Sequence, residues 1–596
     1  MVAAGLALNG ATVRVLDTTG KVVASGRSVT AATGAYGPIT LTGTGTFRVE
    51  ACGTVGDKPL CVWALTNAGG TVNLTPLTSA VAVLASGQGP ETLMSDALSV
   101  SDTSLIAAQS WLRLALAPAF SDAGLASDFN VMTGVVAPGT HTGHDRVLDT
   151  VGVGLGADTK GFVTLEGRMG GGQAYLEPAN TLGSLQFAPA AANLDLPGLD
   201  TLFSRMALAV ANSATCQSGL AAVFDSAARS SLDPTSLTSS GAVEAAQLIC
   251  LRMGGVLGDG EVLFGGKLLP TTLGRCDFSG TDPVCRVNLM FQTSKGFQRA
   301  LGVEQVAVKR AAGWLFLGNR LEVQATATAR LVLTRRVDSL ANDSYSRYLD
   351  VAIPAINVSG GAALQCARVS QKDSSGADVP LGLFKRAGGN YLSLWSASAG
   401  DPTPSLDPAS GATRGSNVVA LPLASGTAGD AVVRNFVRNG RALKVELFAD
   451  TVCSTPLNGL DGASVSIDVA GLLPLASTSQ TGQPWPALAA AATTALVGLK
   501  GSAGGKLTFA PTWTLPRASL AVNRAQLCTD KACTSKLADL ELAAGATTAA
   551  FAPTLGGTAL NASDYKLLRI TGRMPDGLVL QLDSQSCSAQ GSGLGC

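Results

Sequence analysis

The segment from residue 276 to residue 335 alternates apolar and polar residues in one run after another. The runs at 285–292, 303–310, 313–319 and 321–335 are each closed by Gly, Ser or a short charged turn. Because successive side chains of a strand point to opposite faces, this period of two predicts successive antiparallel strands with one buried face. The segment contains no histidine. We therefore expect a spacer or an apolar binding pocket there, and no chemistry.

Length and composition favour several β-rich domains. A chain of 596 residues is too long for one hydrophobic core and corresponds to about three to five domains. Its 70 glycines and only 5% aromatic residues favour strands and turns. Lys plus Arg equals Asp plus Glu at 42 each, and only 14% of residues are charged. This balance argues against an electrostatically held nucleic acid, so we predict no nucleic-acid partner and no cofactor.

The cysteines indicate the compartment. The zinc interpretation needs clustered Cys-x-x-Cys ligands, which do not occur in this sequence. Spacing cannot fix the connectivity of disulfides, but pairs that stay within one module are the simplest assignment. Disulfides persist in oxidising compartments, so we predict a cell-envelope or extracellular location, at the outer surface or in the periplasm of a bacterium. The candidate pairs are Cys52/Cys61, Cys216/Cys250, Cys276/Cys285, Cys366/Cys453, Cys528/Cys533 and Cys587/Cys596.

Export requires a signal segment, and none is visible at the start of the chain. Residues 1–9 have no positively charged region and pass directly into a strand pattern. The longest apolar stretch, 487–499, is too short to span a bilayer, so we predict no transmembrane segment in this chain. We expect instead a precursor from which a signal has been removed, with Met1 added as a start codon.

The N-terminal part predicts a sandwich followed by a helical connector. Residues 1–78 resemble the transthyretin-like (carboxypeptidase-regulatory-like) sandwich in their "ATVRVLD", "TGAY" and "FRVEA" motifs. The "VNLTPLT" run at 72–78 resembles the corresponding juncture in bacterial envelope lipoproteins, which implies a lipid anchor in the precursor. For 79–195 we predict a helical connector, capped by Ser101, Asp102 or Thr103 and stopped at Pro118, and then a β-hairpin region.

The central part predicts an α+β domain. From Pro197 the period changes to 3.6, which places Leu199, Leu202, Met206 and Val210 on one helix face. Two further helices are predicted at 220–227 and 243–252. This order of helices followed by a curved sheet resembles the SnoaL-like (cystatin-like α+β) cone. The "GWLFLGN" run resembles the strand pair near the end of that fold. The resemblance covers 196–336.

The C-terminal part predicts two more sandwiches. Strand-like runs at 337–475, with Cys366 and Cys453 pinning two of them together, resemble an immunoglobulin-like sandwich. Residues 476–500 predict a linker with an Ala-rich turn or helix. Residues 501–596 resemble a fibronectin type III sandwich in the placement of Trp513, Pro516 and Tyr565. The predicted fold class is therefore multidomain and mainly β, with β-sandwich modules flanking a central α+β (cystatin-like/SnoaL-like) domain.

The two histidines of the chain are the residues that most suggest chemistry. His141, His144 and Asp145 lie within five residues, and they could supply three ligands to one metal ion, or a base with its orienting carboxylate. The alternative is a structural turn in which the imidazole and the carboxylate cap backbone groups. No histidine follows His144, so a Ser-His-Asp or Cys-His arrangement cannot form within 145–596.

Three functions compete on this evidence. The first is a non-enzymatic, multidomain secreted or envelope protein for surface display, adhesion or extracellular assembly, whose partner is a surface protein, a glycan or another copy of itself. The second is a small-molecule or glycan binder that uses exposed aromatic residues such as Trp395 or Trp485. The third is a metal-dependent enzyme that uses His141, His144 and Asp145.

Overall fold

Strands account for 40% and helices for 19% of the computed structural model, which confirms the predicted mainly-β, multidomain class. Among the described residues, no helix has both the length and the apolar character that a bilayer crossing requires. The structure describes residues 1–27, 33–55, 58–90, 92–94, 97–157, 160–188, 193–230, 239–254, 263–269, 272–294, 298–300, 305–319, 321–338, 343–358, 361–373, 375–395, 418–421, 428–438, 441–459, 462–471, 473–474, 483–516, 520–543, 545–574 and 577–586.

The N-terminal third combines two four-stranded sheets with three helices. The helices are α1 (Pro76–Ser86), α2 (Asp102–Asp122) and α3 (Gly143–Thr150). The strands are β1 (Ala3–Ala4), β2 (Leu6–Ala7), β3 (Asn9–Leu16), β4 (Val22–Arg27), β5 (Phe47–Val55), β6 (Lys58–Thr66), β7 (Val151–Ala157), β8 (Gly161–Gly167), β9 (Gly172–Glu177) and β10 (Asn180–Leu185). The first sheet has the order β4-β3-β5-β6, and the second is a meander in the order β10-β9-β8-β7.

One hydrophobic core joins these two sheets and the helices. Val13 of β3, Leu77 of α1, Leu112 of α2 and Leu165 of β8 all belong to it and are almost fully buried. Thr75 caps α1 with a reciprocal capping box. The segment that was predicted as a connector therefore packs on the N-terminal sheet.

Helix α2 differs from its prediction at the C-terminal end. Ser101 caps its start by accepting from the backbone N–H of Ser104, as one of the three predicted caps. Pro118 was expected to stop the helix, but the helix continues to Asp122. Proline removes the hydrogen bond to the carbonyl four residues earlier, that of Leu114. Leu114 is 77% exposed, so water can hydrate the freed carbonyl.

The central part has three helices against a four-stranded antiparallel sheet of order β14-β15-β18-β19. The helices are α4 (Leu196–Val210), α5 (Cys216–Ala221) and α6 (Ala242–Gly254). The strands are β11 (Arg229–Ser230), β12 (Ser239–Ser240), β13 (Lys267–Leu268), β14 (Thr272–Asp277), β15 (Val284–Asn288), β16 (Met290–Gln292), β17 (Gln298–Ala300), β18 (Gln305–Arg310) and β19 (Gly313–Gly318). The four apolar residues predicted to share one face of α4 are all buried.

The C-terminal half contains twelve strands joined by continuous pairing, in the order β24-β23-β22-β26-β27-β20-β33-β32-β30-β31 with β21 and β25 attached through β20. The helices are α7 (Ala428–Arg438) and α8 (Ala490–Val497). The strands are β20 (Thr326–Arg336), β21 (Ser344–Ala352), β22 (Cys366–Lys372), β23 (Asp378–Lys385), β24 (Ser393–Trp395), β25 (Val418–Leu421), β26 (Ala442–Phe448), β27 (Ser464–Ala470), β28 (Ala487–Leu488), β29 (Trp513–Thr514), β30 (Ala521–Cys528), β31 (Lys536–Glu541), β32 (Lys566–Arg573) and β33 (Val579–Ser586).

Strand β20 lies in the middle of these twelve strands, which together are called the C-terminal body below. One edge of β20 pairs antiparallel with β21 over nine residues. Its other edge pairs in parallel with β27 at Ala327 and Thr328, and then with β33 from Arg330 to Arg336. The sequence placed this strand at the end of the central domain, because alternation marks a strand but does not say which sheet it joins. Its pairing places it in the C-terminal body instead.

A buried lysine anchors α8 to this body. Lys566 is fully buried, and its ammonium donates to the carbonyls of Val497, Leu499 and Ala562 at 2.7–3.1 Å. The last carbonyls of a helix lack partners within the helix and carry partial negative charge, so a cation is well placed beside them.

The disulfide prediction is confirmed for the described cysteines. Five bonds form, and no described cysteine is free. Cys587 and Cys596 lie outside the described residues, so their pairing stays a prediction. The bonds join Cys52–Cys61, Cys216–Cys250, Cys276–Cys285, Cys366–Cys453 and Cys528–Cys533.

Candidate functional site

The candidate site lies where the loop before α3 meets α4. Asp145 and Asp149 are four residues apart on α3, so their carboxylates lie on the same face of the helix. His141 precedes the helix with a φ of 55°, a left-handed conformation that histidine adopts more readily than most residues. This turn directs the imidazole back over the carboxylates. Asp200 reaches the same ring from α4.

The His141 ring is held between two carboxylates. Its Nδ1 lies 2.8 Å from Oδ2 of Asp149, and its Nε2 lies 2.8 Å from Oδ2 of Asp200. These hydrogen bonds, the one to Asp149 foremost, raise the pKa of His141 to about 10. The ring is therefore an imidazolium at neutral pH, and it links the N-terminal part of the chain to α4.

Asp145 is the buried member of the cluster. Its Oδ2 accepts a 2.8 Å hydrogen bond from the backbone N–H of His141. Asp145 is fully buried, and its Oδ1 has no hydrogen-bond partner among the residues that the structure describes. Burial, and after it the charge of Asp149, raise the pKa of Asp145 to about 6.

His144 does not join His141 and Asp145. Its ring is buried and meets the ring of Phe129 edge-on, with the centroids 5.2 Å apart. Within the described part of the chain, neither ring nitrogen has a hydrogen-bond partner. Burial lowers the pKa of His144 to about 4, so the ring is neutral at physiological pH.

The assembled group therefore differs from the sequence-based set of His141, His144 and Asp145. One ligand atom from each of His141, Asp145 and Asp149 lies within 4.8 Å of the others. Asp149 was missed because residues 143–150 were interpreted as a turn, whereas in the helix that forms there its spacing of four from Asp145 places both carboxylates on one face. Asp200 carried no local signal, because it is 59 residues from His141 in the chain.

Replacing His144 by phenylalanine is expected to leave the stability at pH 7 unchanged or to raise it by about 1 kcal/mol. The change removes two buried polar atoms without partners and retains the contact with Phe129. Thermal and urea unfolding of wild type and variant would measure the difference. A loss of more than about 2 kcal/mol would show that the imidazole makes a polar contact the protein needs.

The same variant is expected to change the pH dependence of stability. The pKa of His144 is about 4 when folded, against 6.5 for an ordinary imidazole. The unfolded chain therefore binds more protons in this window, and His144 lowers the stability as the pH falls from 6.5 to 4. Asp145 contributes with the opposite sign, because its pKa is raised. The difference between wild type and His144→Phe should isolate the histidine, and identical pH profiles would contradict its burial.

Two other groups of acidic residues have structural roles. The acids that follow β20 are each paired with arginine: Asp338 with Arg336, Asp343 with Arg335, and Asp350 with Arg330. A third possible metal group contains Glu50, but its other members, Cys52 and Cys61, form a disulfide.

The two aromatic platforms expected for a glycan binder differ in burial. Trp485 is only 8% exposed and packs against Tyr345 in the C-terminal core, so its prediction as an exposed platform is wrong. Trp395 is half-buried, and the ammonium of Lys385 lies 4.6 Å from the centroid of its ring.

Comparison with known proteins returned no family model and no curated protein that matches the chain. Similar solved structures include one that concerns the host cell surface retention of a 1.5-MDa bacterial ice-binding adhesin. It is 9% identical over 54% of this chain and 90% of its own, with a TM-score of 0.13. A DUF3823 family protein from Parabacteroides merdae is 7% identical over 44% of this chain and 100% of its own, with a TM-score of 0.13.

Two further similar structures consist of repeated or tandem domains. A tetra-tandem repeat in the extending region of a large adhesion protein is 11% identical over 99% of this chain and 94% of its own, with a TM-score of 0.12. The FN1–FN3 domains of chicken CNTN1 are 8% identical over 54% and 99%, with a TM-score of 0.14. At TM-scores this low, none of these similarities extends to the arrangement of the whole chain.

The fold and the cysteines define a class of protein. The chain is a multidomain, mainly β, disulfide-bonded protein with a few helices. The immunoglobulin-like and fibronectin type III assignments of the C-terminal part stay predictions. The transthyretin-like and SnoaL-like assignments stay predictions.

Proposed function

We propose that the chain is a non-enzymatic secreted or envelope protein of a bacterium that acts in surface display, adhesion or extracellular assembly. The observation that carries this proposal is the pairing of every described cysteine in a disulfide. Such bonds form and persist in oxidising compartments and are rare in a reducing cytosol. The partner would be a surface protein, a surface glycan or another copy of the chain.

The positions of the disulfides support a role in folding and stability. Cys52 and Cys61 are directly opposite each other in β5 and β6, and Cys276 and Cys285 are opposite in β14 and β15. The bond between Cys216 and Cys250 joins α5 to α6 in the centre of the chain. Most of these sulfurs are buried, which shields them from reductants once the chain has folded.

The C-terminal body suits a protein that bears load. β20 enters this body and β33 is its last described strand, and the two run parallel over seven residue pairs. Pulling on the start of β20 and on the end of β33 would therefore shear all seven pairs together. A pair of strands loaded from the same end would instead open one residue pair at a time.

The absence of enzymatic activity is part of the proposal. The chain has two histidines, of which one is buried against Phe129 and the other is held as an imidazolium between two carboxylates. Neither imidazole is poised to accept a proton near neutral pH, as a histidine general base must. Asp145 has a pKa of about 6, but it is fully buried. A reproducible hydrolase or transferase activity of the purified protein would contradict this part.

Surface exposure can be tested on intact cells that produce the full precursor. Extracellular protease should degrade the protein while a cytosolic marker protein survives, and release into the medium would equally support export. Cells lysed before the protease treatment provide the control, since both proteins should then be degraded. Complete protection in intact cells, together with recovery in the cytosolic fraction, would overturn the surface role.

A further inference from the structure

We propose that His141, Asp145 and Asp149 bind one divalent transition-metal ion of the zinc class, with Asp200 orienting the imidazole. This site goes beyond the proposed function, which needs no metal. It would stabilise the junction between α3 and α4, because the ring that binds the metal also contacts Asp200 across that junction.

The spacing of the donor atoms fits a compact metal site. One donor atom from each of the three residues lies within 4.8 Å of the other two. Zinc bonds of about 2.0–2.2 Å place the donors of a tetrahedral site about 3.3–3.6 Å apart. The longest donor separation would therefore shorten by about 1.5 Å at most, and the 2.8 Å separation of His141 Nδ1 and Asp149 Oδ2 would lengthen by about 0.5–0.8 Å. A water molecule or a partner group would complete the coordination.

The two ring nitrogens have different roles in this arrangement. Nδ1 faces Asp149, and a metal ion between them would displace the Nδ1 proton to solvent and replace their direct 2.8 Å contact. Nε2 would keep its N–H and donate it to Asp200, which lies 2.8 Å away. Histidines that bind metals commonly donate the other ring N–H to a carboxylate in this way, which fixes the ring orientation and the tautomer.

Asp145 gives independent evidence that a ligand is missing from the site. It is fully buried beside the cluster, and its Oδ1 has no hydrogen-bond partner among the described residues. A buried carboxylate oxygen without a partner is costly, and a cation within reach would satisfy it. With three carboxylates and one imidazolium, the group still has an excess of negative charge, which a divalent ion that displaces the Nδ1 proton would neutralise.

The donor types select the class of ion. Imidazole together with carboxylates suits zinc and neighbouring transition metals. Calcium takes six to eight oxygen ligands, more than this group offers without many waters. We therefore expect zinc to bind and millimolar calcium not to compete.

The test uses the untagged full chain, in which there are only two histidines. Protein labelled with ¹⁵N at histidine should show two imidazole spin systems in long-range ¹H–¹⁵N spectra. One equivalent of zinc chloride should shift the Nδ1 signal of His141 strongly and leave His144 in place. Equilibrium dialysis should give one zinc ion per chain, without displacement by calcium.

Variants separate ligands from neighbours. Asp149→Asn should weaken zinc binding by at least about 100-fold, and Asp200→Asn by about 10–100-fold because it positions the ring. Asp128→Asn changes an exposed carboxylate outside the group and should bind like wild type. Thermal unfolding would show whether each variant is folded. If a variant is not folded, the zinc-dependent shift of His141 Nδ1 in the wild-type spectra decides whether this ring binds the metal.

The proposal is overturned if zinc does not bind stoichiometrically, if it binds without moving His141 Nδ1, or if a folded Asp149→Asn variant binds as tightly as wild type. None of these results would affect the proposed function, which rests on the disulfides.

Discussion

Replacing Asp430 by asparagine is expected to lower the free energy of unfolding of the C-terminal body by about 3–5 kcal/mol. The carboxylate of Asp430 on α7 receives a 2.5 Å hydrogen bond from Nη1 of Arg347 on β21, and the two side chains are 1% and 0% exposed. The asparagine is nearly the same size, so the variant removes the charge and little packing. It leaves a buried guanidinium without its counter-ion, and urea unfolding followed by tryptophan fluorescence would measure the loss.

Two comparisons show whether the charge pair causes that loss. Asp378→Asn breaks a surface pair in the same body, where Asp378 contacts Lys372 and Lys444, and it should cost less than about 1 kcal/mol. The double variant Arg347→Leu/Asp430→Leu should recover much of the stability. Two leucines have no charged groups whose hydration is lost on burial, so they need no ion pair to offset that cost. If Asp430→Asn unfolds within about 1 kcal/mol of wild type, the guanidinium is compensated elsewhere.

Removing the disulfide between Cys366 and Cys453 by a double change to alanine is expected to cost about 4.6 kcal/mol. The bond closes a loop of 87 residues between β22 and the turn after β26, so it restricts the unfolded chain strongly. The matched control is the double alanine variant of Cys528 and Cys533, which are five residues apart. Its shorter loop predicts a loss of about 2 kcal/mol, and equal losses from both variants would contradict the entropic explanation.

Local patterns predicted much of the secondary structure. Alternation with a period of two predicted β15, β18, β19 and β20, and a period of 3.6 predicted α4. Both periods are visible in the local sequence because one face of each element is buried. Pairing cysteines with their neighbours in sequence predicted the five bonds found among the described residues, because four of them link positions on adjacent strands, helices or turns.

Long-range packing was beyond the reach of these patterns. The sheet to which β20 belongs depends on β33, about 250 residues later in the chain. The second carboxylate that holds the His141 ring, Asp200, comes from another helix, and the separation of His144 from this group depends on the position of Phe129. The continuation of α2 beyond Pro118 has no local signal, because a proline in a helical pattern ordinarily predicts its end.

The central claim, that this chain folds in an oxidising compartment, is tested most directly by trapping its thiols in the cells that make it. Acid quenching followed by alkylation in denaturant, before and after reduction, gives the number of free and bonded cysteines by mass spectrometry. The account predicts almost no alkylation before reduction and alkylation of all 12 cysteines afterwards. Alkylation of most cysteines before reduction would show that the disulfides do not form in the cell, and it would contradict the proposed envelope or extracellular role.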